Sequence, residues 1–452
     1  MRVKLAAVIC ILISPVAGFL WFASQTSVAS LAEDYIDIAL KLDEISRGEV
    51  DNYFGSYDPG QISETSLDEI LINAGGLKAR IDSAREDISD PRLEGLALKV
   101  DHLLRVLDFL ADDDSLSFSE ELSGFFGIRI DELRPETRLD ASGRVVSVER
   151  APTVLELAAS EAKEELDKLL PGQGSLPFRV SNFQSRFLVP LGQREQLFEL
   201  ALDACEKNTK ENWELPLDSG VKINWTREVS SPWHSYLGEG ASEISINPLA
   251  MGYVGSMIDV ACHEGYPGHH AQHVLLEQSL NEMGDFSPEE RLMLLRTQKT
   301  AVLEGAADYG IGLVFPRGKR LEFERDVLFP LAGLDTSEIE SYLRVHHLVK
   351  IANAGVTKTI QAYADEKLPS VAAAVRLEND FLVASPRAVL EFVDRYGAYA
   401  AIYPISGSTV TGFLNSQAKL NIAYWDGLQE LIIGAEKLPE GFISLGASSD
   451  GN

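Results

Sequence analysis

Apolar positions recur at helical spacing along most of the chain. Between residues 31 and 110 they form three amphipathic stretches, Leu31–Arg47, Leu67–Ile88 and Arg92–Ala111, each predicted as a helix. Asp90-Pro91 puts a turn residue and a first-turn proline at the head of the third. Val154–Leu170 and Glu195–Asn208 repeat the pattern, and Pro171-Gly172 halts the first of these. Residues 129–150 alternate charged and small side chains and read as loop. The period then shortens. Lys222–Trp225, Glu228–Trp233 and Glu243–Asn247 have strand character and predict a small antiparallel sheet just before residue 254. From Pro288 onward the pattern returns to helix, including Leu292–Gly312, Ser337–Asp365 and Pro386–Tyr396. The expected fold is mainly α, with that sheet beside one helix. No internal repeat or low-complexity run interrupts it.

The helix that follows the sheet carries the chemistry. Four of the chain's eight histidines fall between positions 263 and 273, within His263-Glu264-Gly265-Tyr266-Pro267-Gly268-His269-His270 and just beyond. The run reads as His-Glu-x-x-His with its second histidine displaced. In that motif two histidines one turn apart hold a zinc ion, and the glutamate beside the first acts on a water. Here Pro267 occupies the fourth position after His263. On an ideal helix the sixth position points roughly 120° away, and the seventh lies about 10 Å along the axis. Neither meets His263 on one ion without a distortion. Pro267 removes a backbone donor and Gly268 loosens the chain, so a helix bulge is expected here. A bulge that absorbs two residues makes His269 the second ligand, and His270 then supports the site or faces substrate. Without it His270 is the ligand. His269 is the preferred reading. The plainer alternative is that the two histidines cap a helix.

A catalytic zinc takes three protein ligands and a water. The helical stretch Thr300–Tyr309 supplies a third in Glu304, flanked by small residues, with Asp308 one turn on to fix a ligand histidine's tautomer. Candidate donors to an oxyanion are Tyr403, in what reads as a Gly/Ser-rich bend, with Tyr399, His346, His347 and Arg395. Arg395 would hold a substrate carboxylate. His234 and Trp233, in the expected loop between strands, are further candidates for substrate contact.

His263-Glu264-x-x-Pro267-Gly268-His269-His270-x-Gln272, followed by Glu304-Gly305-x-Ala307-x-Tyr309, resembles the bacterial family called domain of unknown function 885. That family is similar to gluzincin metallopeptidases, among them the Taq-type carboxypeptidases. Glu243–Pro248 and Ser117–Gly127 extend the likeness over most of residues 31–410. The family's Gly-His ending supports matching Gly268-His269 to it. The likeness departs at Ala306, where the family has Trp, and at Tyr403–Gly407, which fits its C-terminal segment loosely. It implies a helical cleft-type metallopeptidase-like fold, with substrate peptide adding to the strand that ends in Asn247. It also implies one zinc ion on His263, His269 and Glu304, with Glu264, His270 and Tyr403 as catalytic groups. The implied activity is hydrolysis of a peptide or small amide. The alternatives are hydrolysis of a non-peptide amide or ester, or a non-catalytic, metal-stabilised peptide-binding protein.

Composition narrows the partners. The 452 residues include 69 Asp and Glu against 40 Lys and Arg, a formal net charge of −29. Nucleic-acid binding wants the opposite balance. Arg2 and Lys4 precede an apolar run at residues 5–23, with Ser27-Val-Ala29 as a small-x-small site. This predicts an export signal or an inner-membrane anchor, and a periplasmic or extracytoplasmic body. Cys205 and Cys262 would there form a disulfide, or Cys262 stays a buried thiol on the motif helix. The expected organisation is a leader or anchor at 1–30, an N-terminal helical region at 31–215, a metal-binding region at 216–444 and a disordered tail at 445–452.

Overall fold

The structure, a computed structural model, describes residues 27–55, 65–87, 89–111, 116–130, 137–139, 145–147, 154–216, 218–229, 231–282, 287–435 and 444–445. The apolar run at 5–23 and the tail beyond Leu445 lie outside the described residues. Among the described residues no helix is long and apolar enough to cross a membrane. The fold is mainly helical, as expected, with a small sheet before the motif helix.

The chain divides into two compact units. The first combines the described parts of Met1–Ser115 and Asp285–Leu295. Its helices α1 (Val28–Ile45), α2 (Leu67–Asp87) and α3 (Pro91–Ala111) match the predicted stretches to within a few residues. Leu31 and Leu42 of α1, Ile70, Leu77 and Ile81 of α2, and Leu96, Val100 and Leu103 of α3 are fully or almost fully buried, at helical spacing. Leu292–Leu294, expected as helix, is instead a strand pairing antiparallel with Val50–Tyr53. A short apolar run serves either element, and here an unpaired strand claims it.

The second unit holds the described parts of Leu116–Gly284 and Arg296–Asn452. The boundary expected near residue 215 is therefore not the one observed. Helices before it, such as Val154–Leu169, bury their apolar faces on helices far downstream, among them Ile339–Asn353. Proximity in sequence does not report that packing.

Three strands precede the motif helix: β1 (Gly220–Trp225), β2 (Trp233–Gly238) and β3 (Ala241–Ile246). The strand expected at Glu228–Trp233 lies about five residues later. β3 is central, antiparallel to β2 and parallel to β1. Glu239 and Gly240 both have positive φ, as a two-residue hairpin turn requires. Because β3 has a neighbour on each side, no peptide can add to its edge; among the described residues β1 and β2 are the edge strands of this sheet. Its alternation buries Ser242, Ile244 and Ile246 on one face.

Helices α4 (Arg194–Lys210), α5 (Val254–Glu264), α6 (His269–Glu282), α7 (Gln298–Val314), α8 (Ile339–Asn353) and α9 (Ile402–Lys419) surround the motif. The Cys205–Cys262 disulfide ties α4 to α5. Thr297 caps α7 by accepting from the Thr300 amide at 3.2 Å. Residues Thr300–Ala307 of α7 are all buried, so the helix shows little amphipathy. Gly305 makes that possible: a Cβ there would lie 2.7 Å from the Ser406 backbone of α9.

Candidate metal centre

α5 ends at Glu264 and α6 begins at His269. The sequence predicted a bulged helix; the chain breaks into two. Between them the Gly268 amide donates to Cys262 O and the Ala271 amide to Gly265 O, at 3.0 and 3.1 Å. Each bond spans six residues where a helix spans four, so two residues are absorbed. Gly268 is obligatory in this turn, because a Cβ would sit 1.7 Å from the His263 carbonyl oxygen. His269 thereby takes the place one turn beyond His263.

Three ligand-type atoms converge. His263 Nε2 lies 3.2 Å from His269 Nε2 and 3.2 Å from Glu304 Oε2, and His269 Nε2 lies 3.4 Å from the same oxygen. The two rings are perpendicular, at 88°. A tetrahedral zinc with bonds of about 2.0–2.1 Å has ligand–ligand edges of about 3.3–3.4 Å. The observed triangle has those dimensions. Glu304 Oε2 is buried and meets the two imidazole nitrogens without hydrogen-bond geometry, which leaves it short of a well-placed partner. The donor set and its spacing fit one divalent ion.

The supporting groups are in place. Asp308 Oδ1 lies 3.3 Å from His263 Nδ1, so a proton there leaves Nε2 as the electron-pair donor. Tyr399 donates to Glu304 Oε1 at 2.6 Å, and Tyr403 donates to the Tyr399 oxygen at 3.3 Å. Glu264 and His263 line an open cavity of about 310 Å³ together with Ser256, Asp308 and Lys350.

Charges follow this geometry. Burial disfavours the His263 imidazolium, but Asp308 and Glu304 outweigh it and raise its pKa well above the ordinary value. His269 is raised in the same way by Glu304 against burial. Burial alone would raise Glu304, yet His269 and His263 hold it far below the usual carboxylate range. Burial pushes Glu264 upward. Burial, with Glu304 nearby, raises Tyr399 and Tyr403 well above the usual phenol value, so both remain hydroxyl donors.

His270 is elsewhere. Adjacent helical residues point about 100° apart, and His270 is fully buried, with Nδ1 2.7 Å from Ser242 Oγ of β3 and its ring against Tyr266. Burial pushes its pKa down to about 3. It is a neutral, buried ring packed on Ser242 and Tyr266, and it is not one of the three groups whose ligand atoms converge. His273, expected toward solvent or in support of the cluster, is buried and stacks on Tyr236. Tyr403 sits in the first turn of α9, not in a bend. His346 binds Asp259 at 3.0 Å, and Arg395 lies over the Tyr396 ring. Trp233 is exposed. His234 lies on β2 and hydrogen-bonds Ser242, with its ring 6.0 Å from that of His269. Sequence reading passed over Ser242, which bridges His234 and His270. It also passed over Asp259, although that residue precedes His263 by one helical turn.

No family model matches the chain, and no curated protein matches it. One solved structure is similar. Titled "The crystal structure of the putative lipoprotein from Colwellia psychrerythraea", it shares 14% identity with a TM-score of 0.48, over 83% of this chain and 68% of that one.

Proposed function

We propose that the protein is an exported, zinc-dependent hydrolase that cleaves peptide bonds. The convergence of His263 Nε2, His269 Nε2 and Glu304 Oε2 at tetrahedral spacing carries this reading. A divalent ion held there would polarise a carbonyl and acidify a water. Glu264 is outside the ligand triangle and beside it, facing the same opening. It takes the proton of the attacking water and returns it to the leaving amine. Asp308 holds the His263 ring in register, and Tyr399 does the same for Glu304. Tyr403 reaches the centre's edge, its ring 6.3 Å from that of His263, and its neutral O–H, which donates to Tyr399 in the substrate-free chain, would turn from Tyr399 to the developing oxyanion. Export is supported by the N-terminal apolar run and by the Cys205–Cys262 disulfide, which belongs to an oxidising compartment. The resemblance to the gluzincin-like family agrees with the same assignment.

The test is zinc content measured alongside turnover on a peptide library and on simple esters. The wild type should carry one zinc and cleave peptides. Glu264→Gln should keep the zinc and lose roughly 10²–10⁴-fold in turnover, the usual range for a general base. Zinc without turnover on any substrate leaves the metal-stabilised binding protein. Near wild-type turnover in Glu264→Gln removes the glutamate from the mechanism.

A further inference from the structure

A second cavity, of about 510 Å³, adjoins the metal centre's opening: Asp259 and Lys350 line both. Its wall is apolar at Phe315, Leu321 and Leu343 and carries His346, His347 and Lys350 on α8. The charges there are unequal in how fully they are engaged. Arg320 is spent: it donates to Asp259 at 2.7 Å, Glu324 at 2.8 Å and the Gly255 carbonyl at 3.1 Å. Arg344 donates to both carboxylate oxygens of Glu165, outside this lining. Asp259 already accepts from Arg320 and faces His346 at 3.0 Å, while Asp308 serves His263. The Lys350 ammonium stands between these two carboxylates at 3.6 and 4.0 Å, beyond hydrogen-bond distance, with half its side chain exposed. The remaining carboxylate of the lining, Glu340, is exposed. Lys350 is thus a half-exposed cation, ion-paired with two aspartates at more than hydrogen-bond distance, on the lip between the reaction centre and a chamber with one apolar wall.

We propose that this chamber is a substrate subsite for an apolar group that carries a carboxylate, with Lys350 as the residue that takes the carboxylate. A carboxylate arriving at the lip would gain a charge-assisted hydrogen bond that Asp259 and Asp308 do not make. Its apolar body would cover Phe315, Leu321 and Leu343. The carboxylate could be a peptide C-terminus or an acidic side chain, since both present the same group. Lys350 touches no metal-ligand atom, so its role is specificity and not chemistry. The inference rests on the hydrolase reading above, because only a reacting centre gives the neighbouring chamber a substrate to select.

The experiment uses the full, zinc-loaded chain carrying Glu264→Gln, so that bound peptides survive, with zinc content measured on every sample. Calorimetry compares three probes: a hydrophobic peptide with a free C-terminus, the same peptide amidated, and the amidated peptide with one glutamate. The proposal expects one charged probe to bind at least tenfold tighter than the uncharged amide. Which one does so identifies the source of the carboxylate. Adding Lys350→Ala should erase the preference without changing binding of the uncharged probe or zinc content, and Lys350→Arg should restore part of it. Equal binding of all three probes overturns the proposal. So does a preference that survives Lys350→Ala. A Lys350-dependent preference in protein that holds no zinc supports the subsite and removes the metal reading instead.

Discussion

His263 uses both ring nitrogens, Nδ1 toward Asp308 and Nε2 toward His269 and Glu304. That arrangement makes metal uptake depend on pH with a definite sign. In the metal-free chain the pKa values of His263 and His269 are raised, because Asp308 and Glu304 outweigh burial. Their pairing therefore adds stability that is fully present below the unfolded histidine value of about 6.5 and is lost as pH rises through the higher folded values. Zinc needs the neutral rings and must displace those protons. Its affinity should climb with pH over that window, with log Kd falling by between one and two units per pH unit. Chelator-competition titrations from roughly pH 6 to pH 9 would read the slope. A dissociation constant flat in pH would show that the two rings are not ligands.

The break between α5 and α6 is what brings the two histidines together. It was partly legible: Pro267-Gly268 announced a distortion, and its required size followed from the positions of His263 and His269. That the distortion is a full break, with two bonds spanning six residues, depends on backbone packing that no side-chain pattern reports. The same limit explains the strand at Leu292–Leu294, whose partner Val50–Tyr53 is distant in sequence, and the parallel pairing of β1 with β3, since neither segment's own pattern fixes the order of the strands. It also explains His270, whose burial depends on Ser242 of β3 arriving beside it. At this scale the decisive residue is Gly268. Gly268→Ala drives a methyl group into the His263 carbonyl, so the turn must open. The variant should lose about 1–3 kcal/mol of stability, in the range of overpacked sites. It should also bind zinc about 10–100-fold more weakly, as when a supporting group is disturbed. Thermal melts and zinc titration check this together; a variant with wild-type zinc affinity would mean that the turn does not set the site.

At the scale of the molecule, helix content and the grouping of His263, His269 and Glu304 were readable because each rests on local spacing: amphipathic periods, one dense histidine cluster, one buried glutamate in a run of small residues. The division into units was not, because the described part of Asp285–Leu295 returns to the N-terminal helices while the described residues between 116 and 215 pack with the later ones. Compartment remains a prediction of the whole chain. Fractionation should recover the body outside the cytoplasm, and in the denatured chain Cys205 and Cys262, which are fully buried when folded, should resist alkylation until reduced; a cytosolic body whose two thiols alkylate on denaturation alone contradicts it. The central claim is narrower, that one zinc ion binds His263, His269 and Glu304. Its most direct test is an anomalous-difference map at the zinc edge from crystals of the zinc-loaded protein. The account predicts one strong peak bonded to His263 Nε2, His269 Nε2 and Glu304 Oε2. No peak at that position, or a zinc ion held by His270 in place of His269, would contradict it.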